Sequence, residues 1–147
     1  MPNTIRFHRV LRAPPERVYR AFTDPEAMVK WLPPNGFTGS VARADLRVGG
    51  AYAMSFANFS TGTRHSWQGV YRVLDKPERI QYTATFDDPN MPGEMVTTVT
   101  LRVVMGGTEI VAEQSGIPDA IPPEMCHLGW QESLALLAKL VEAEIPG

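Results

Sequence analysis

The stretch Glu124-Met125-Cys126-His127-Leu128-Gly129-Trp130-Gln131-Glu132-Ser133-Leu134-Ala135-Leu136-Leu137-Ala138-Lys139-Leu140-Val141-Glu142-Ala143-Glu144 contains no proline, in a chain of 147 residues that has 13 of them. Pro122 and Pro123 stand just before it, where the first turn of a helix tolerates proline because the missing N–H would have had no intrahelical partner. Trp130, Leu134, Leu137 and Val141 follow i, i+4, i+7, i+11 spacing, and Glu132, Lys139 and Glu142 fall on the opposite face. The spacing predicts an amphipathic helix of about twenty residues whose apolar stripe needs a partner surface.

The chain upstream supplies that surface. Thr4 to Arg12 alternates, with Ile5, Phe7, Arg9 and Leu11 on one side and Arg6, His8, Val10 and Arg12 on the other, the period of a strand. Pro15 suits the first turn of a short helix carrying Val18, Tyr19 and Phe22, which Thr23-Asp24-Pro25 stops. Asp24 can cap a second short helix bearing Met28, Trp31 and Leu32, which Pro33-Pro34 ends. Further strands are predicted at Phe37 to Arg43, Ala51 to Phe59, His65 to Leu74, Ile80 to Phe86, Glu94 to Met105 and Thr108 to Ser115. Short turns join them, with Gly106-Gly107 as a tight hairpin and Asp87 to Gly93 as the longest loop. Consecutive strands with short connections make an antiparallel sheet. The expected fold class is therefore α+β: a curved antiparallel sheet wrapped around one long C-terminal helix. A sheet this wide exceeds the roughly 10 Å diameter of one helix, so space is expected between the two, closed at one end by the short helices.

Composition bounds the rest. At 44% hydrophobic and 20% charged residues, the chain reads as one globular domain, 1–147, large enough to bury a core. A net charge of −2 gives no drive toward nucleic acid or anionic lipid. Cys126 is the sole cysteine, which excludes an internal disulfide and any multi-cysteine metal site and suits a reducing cytoplasm. His8, His65 and His127 lack metal-ligand spacing, and no phosphate-cradling glycine loop opens a helix, so neither metal nor cofactor is expected. No segment is apolar enough to insert in a membrane, and Met1-Pro2-Asn3-Thr4 does not read as a signal peptide; the expectation is a cytoplasmic protein.

Ala13-Pro14-Pro15-Glu16-Arg17-Val18-Tyr19-Arg20-Ala21-Phe22-Thr23-Asp24-Pro25-Glu26 resembles the opening of the heat-shock-protein-90 ATPase activator-homologue group of the START-like SRPBCC superfamily. Trp31 with Pro34, Asp45-Leu46-Arg47-Val48-Gly49-Gly50, Gly69-Val70-Tyr71-Arg72-Val73, Pro77-Glu78-Arg79-Ile80, Gly107-Thr108 and Gly129-Trp130 with Leu134 and Leu137 match in family order. The resemblance implies the birch-pollen-allergen-like helix-grip fold, which the patterning reaches independently. It implies no single function, since related small proteins look like lipid-binding proteins, polyketide cyclases or resistance proteins. As read, the chain has no second module with which to grip a chaperone, which argues against direct ATPase activation.

Alternation places Phe7, Met54, Phe56, Trp67, Tyr71, Tyr82, Phe86 and Trp130 on the helix side of the sheet. These large side chains either fill the core or line a pocket. Arg9, His65, Thr97 and Gln114 share that side, where polar groups need partners. With Trp31 and Leu134 added, and Arg9 set aside, these form the candidate ligand-binding set for a small lipophilic molecule. His65, Arg9 and Gln114 are the candidate catalytic residues of the rival enzyme reading, with His65 as acid or base because imidazole titrates near neutrality. Cys126 and His127 project about 100° apart on a helix and cannot pair tightly. A third reading is a chaperone-interaction or self-association module, such as a homodimer, using apolar surface at Trp31, Leu32, Pro33, Pro34 and Phe37. Arg6, His8 and Arg12 give the first strand a basic outer face that resists edge-to-edge pairing.

Overall fold

A computed structural model describes residues 3–146. Strand β1 (Ile5–Leu11) leads into helices α1 (Pro15–Thr23) and α2 (Pro25–Trp31). Strands β2 (Phe37–Ala44), β3 (Ala51–Asn58), β4 (Arg64–Asp75), β5 (Arg79–Phe86), β6 (Met95–Val104) and β7 (Gly107–Ser115) follow, and then helix α3 (Pro123–Val141). The strands form one seven-stranded sheet in the order β1-β7-β6-β5-β4-β3-β2, and every neighbouring pair is antiparallel. The sheet curls into a half-barrel around α3. This is the helix-grip arrangement that the sequence predicts.

Local chemistry sets the element boundaries. Pro15 opens α1, and Asp24 caps α2, its side chain accepting from the Glu26 N–H at 3.0 Å with Pro25 in the first turn. Gly49 sits at φ 83°, the left-handed region that favours glycine, at the turn before β3. The α3 helix stops at Val141, short of Glu144.

One core cluster joins the C-terminal half of α3 to α1, β1 and the β5–β7 sheet. Leu134 and Leu137 are fully buried there with Leu11, Val18, Ile80, Val99 and Ile110. On the outer face, the basic residues of β1 meet acids rather than standing alone. Arg6 pairs with Glu113 at 2.7 Å and His8 with Glu109 at 2.9 Å, while Arg102 reaches Glu109 at 2.7 Å. These exposed pairs fix register more than they stabilise.

Two expectations are corrected. Alternation continued from Trp67 and Tyr71 along β4 predicts that Val73 faces inward, but the register shifts between Tyr71 and Val73, so that Leu74 pairs with Ile80 and packs on the core. An extra residue in one strand reverses every facing beyond it. The apolar segment from Trp31 to Phe37 is not an exposed patch. Trp31 and Pro33 are buried and Leu32, Pro34 and Phe37 are half-buried, because the segment folds in under α3, where the Ser133 hydroxyl donates to the Leu32 carbonyl at 2.6 Å.

Candidate functional site

A cavity of about 470 Å³ lies between the N-terminal half of α3 and the concave face of the sheet. It exists because the two halves of α3 do different things. Leu134, Leu137, Ala138 and Val141 are sealed in the core, whereas Met125, Cys126, Gly129, Trp130 and Ser133 face the open space. Gly129 is decisive. A Cβ at this mid-helix position would meet no heavy atom within 4 Å, so the missing side chain is missing from the cavity itself.

The strands line the cavity in layers. β3 contributes Phe56, Met54 and Tyr52; β4 contributes His65, Trp67 and Tyr71; β5 contributes Phe86, Ala84 and Tyr82. Along β4 exposure falls from His65, which is exposed, through half-buried Trp67 to Tyr71, which is 2% exposed. The mouth is therefore at His65 and the deep end at Tyr71. Phe56, Trp67 and Phe86 form an edge-to-face row behind the mouth, with ring centroids 4.6 and 6.0 Å apart. Five of the chain's seven methionines, Met28, Met54, Met91, Met95 and Met125, line the walls. Their flexible thioethers make a surface that adapts to different shapes.

Gln114 fixes the helix end of the site. Its Oε1 accepts from the Trp130 indole N–H at 3.1 Å and from the Cys126 thiol at 3.2 Å, and its Nε2 donates to Thr97 Oγ1 at 3.0 Å. The amide thus holds β6, β7 and α3 together and sets the tilt of Trp130. At the deep end, Tyr52 lies opposite Gly69 in the β3–β4 register, and its hydroxyl donates to the Thr83 carbonyl on β5. That reach across β4 needs the bare backbone of Gly69, where a Cβ would collide with the same carbonyl. Burial raises the phenol pKa of Tyr52, Tyr71 and Tyr82, so all three stay protonated at neutral pH. Burial also pushes the Cys126 thiol up to about 11.

The structure brings together Met54, Phe56, His65, Trp67, Tyr71, Tyr82, Phe86, Gln114 and Trp130 from the candidate set. It puts four others one layer back. Phe7 stacks on Trp130 at 4.6 Å, and Trp31 packs near Trp130 at 6.4 Å with its indole N–H on the Ala21 carbonyl. Thr97 stands behind Gln114, and Leu134 is in the core. Period-two alternation assigns a face, but it does not say how deep that face lies below a neighbour.

The candidate catalytic residues do not converge. Arg9 is off the cavity wall, on edge strand β1, with β7, β6 and β5 between it and β4. Gln114 spends its amide on structural partners, and His65 is at the solvent end. Sequence reasoning missed Gly129, Cys126, Ser133 and the methionines Met28, Met91, Met95 and Met125 as lining residues. A glycine in mid-helix was the one local signal, since it costs stability relative to alanine and so asks for a reason. Among the described residues no group of three or more His, Cys, Asp or Glu is arranged to hold a metal ion, and no helix is long and apolar enough to cross a membrane.

Comparison with known proteins agrees with this architecture. No curated protein matches the sequence. A structure from Chromobacterium violaceum is 58% identical, with a TM-score of 0.96, over 98% of this chain and 100% of that one. A Rhodobacter sphaeroides protein at 21% identity has a TM-score of 0.82, over 95% of this chain and 92% of that one. An AHSA1-like protein from Aeromonas hydrophila, also 21% identical, gives 0.76 over 95% and 92%. The last two share the fold. The family model for activator of Hsp90 ATPase homolog 1-like proteins matches residues 12–142, and the chain belongs to that family.

Proposed function

We propose that this protein binds a small, largely apolar molecule in the space between α3 and the sheet. The family and fold suggest a ligand-binding or ATPase-activator-like role. The cavity beside Gly129 supports the first. Its volume suits a molecule of two or three rings, and drug-sized sites commonly fall between about 300 and 1,000 Å³. Aromatic rings and thioethers supply the contact surface, and each Å² of apolar surface withdrawn from water contributes roughly 25 cal/mol before the costs of association. With Arg9 away from the wall and Gln114 held by its partners, the residues offer binding more readily than acid–base turnover.

The test is titration with N-phenyl-1-naphthylamine, a neutral probe that fluoresces when withdrawn from water. The wild-type protein should bind it saturably. Gly129→Leu places a side chain in the cavity while improving helix propensity, and should weaken binding at least about tenfold without loss of stability. Equal binding by both proteins, or none by either, overturns the proposal. Native mass spectrometry of freshly purified protein should reveal any molecule retained from the host.

A further inference from the structure

Tyr71 stands apart from the other polar groups of the cavity. It is 2% exposed, and its hydroxyl is the only buried side-chain nitrogen or oxygen among the described residues without a hydrogen-bond partner. Its neighbour Tyr52, with ring centroids 5.4 Å away, has solved the same problem by donating to Thr83. The Tyr71 hydroxyl makes no such bond. Tyr71 packs in a cluster with Met28, Tyr52 and Met54, against which Trp67 and Tyr82 also pack, and none of them is a hydrogen-bond partner of its hydroxyl. A buried hydroxyl without a partner is costly, and most folds remove it or satisfy it.

We propose that Tyr71 is the polar anchor of the ligand site, and that the molecule bound there is neutral and carries an acceptor oxygen, such as a ketone, aldehyde, ester or quinone carbonyl, at its inner end. This rests on the cavity-binding reading above. The O–H is a donor awaiting an acceptor, and burial keeps it protonated. Among the described residues no lysine or arginine lines the cavity, so a carboxylate or phosphate at the deep end would lie unpaired in apolar surroundings. Tyr71 is six positions along β4 from His65 at the mouth, roughly 20 Å of strand, so the oxygen sits far from solvent. The rest of the ligand is then apolar and rests on Met54 and Trp67.

Two probes of one skeleton test this: 6-propionyl-2-(dimethylamino)naphthalene and its 6-propyl analogue, which lacks the carbonyl. Affinities come from displacement of N-phenyl-1-naphthylamine, and the bound ketone's carbonyl stretch from infrared difference spectra. In the wild type the stretch should lie below its position in hexane. Tyr71→Phe should shift the ketone-to-hydrocarbon affinity ratio about fivefold against the ketone, the worth of one neutral hydrogen bond, and leave hydrocarbon binding intact. An unchanged ratio with intact hydrocarbon binding overturns the anchor role and leaves the cavity reading standing. If N-phenyl-1-naphthylamine binds but neither probe displaces it, the anchor proposal falls and the cavity reading stands; if none of the three binds the wild type, both fall. The carbonyl stretch of the wild-type complex decides the matter independently of how the variant folds: a stretch at the hexane position overturns the anchor.

Discussion

Cys126 shows how little a residue type says until its surroundings are known. On sequence it was an unpaired thiol beside a histidine. In the fold it faces the cavity, donates to Gln114 Oε1 at 3.2 Å, and has its pKa pushed up from 9.0 to about 11 by burial. The folded state holds the proton more tightly than the unfolded chain does. The stabilisation is therefore complete below about pH 9 and is lost as pH rises toward 11. Two measurements check this. Reaction with Ellman's reagent should be slow at pH 8 and still accelerating above pH 10. The urea midpoint of the wild type should fall between pH 9 and 11 more steeply than that of Cys126→Ala, which isolates the thiol from the buried tyrosines that titrate higher. Equal slopes would mean that the thiol is solvated in the native state.

At the level of elements, α3 is one continuous helix with two packing environments. Its apolar stripe at Trp130, Leu134, Leu137 and Val141 was legible in the sequence, and so was the predominance of apolar side chains on the concave side of the sheet. The division of the helix into a sealed half and a cavity-facing half was not legible, because both halves carry the same helical period. Gln114 secures the cavity-facing half through Trp130 and Cys126. Gln114→Met keeps the approximate shape but strands the indole N–H and the Thr97 hydroxyl. The expected loss is about 2 kcal/mol or more. Urea denaturation measures it, and a loss below about 0.5 kcal/mol would mean that packing alone orients Trp130. Strand reading was reliable where alternation ran unbroken. It failed past the β4 bulge, since nothing local to Arg72 or Val73 announces an extra residue.

For the whole molecule, the curl of the sheet is what makes room for a cavity at all. Gly69 is one of the positions that permit it. Here β4 and β5 approach so closely that a Cβ would strike the Thr83 carbonyl, and the Val70 N–H turns to Thr83 Oγ1 at 3.0 Å in place of a regular ladder bond. Gly69→Ala should therefore destabilise by more than about 2 kcal/mol although it adds only a methyl group. It should also weaken N-phenyl-1-naphthylamine binding, because Tyr52 loses its path to Thr83 and the deep wall shifts. Thermal unfolding and the probe titration read the two effects, and a variant as stable as the wild type would show that the curl does not depend on this close approach.

The sequence by itself determined the order and type of the elements, the antiparallel helix-grip architecture, and the membership that its turn and cap residues signal from Ala13 to Leu137. The elements and their arrangement follow from short-range rules: period two or 3.6, proline and glycine at fixed offsets, and an acid where a helix begins. Only the tertiary structure decided depth. It placed Phe7 and Trp31 behind Trp130, left Gly129 facing open space, separated Arg9 from His65 by three strands, and gave Tyr52 a partner while leaving Tyr71 without one. The physical reason is that a side chain's face is fixed by its neighbours along the chain, whereas its distance from the helix depends on the curvature of the sheet. That curvature is a sum of twists, bulges and close approaches between strands far apart in sequence.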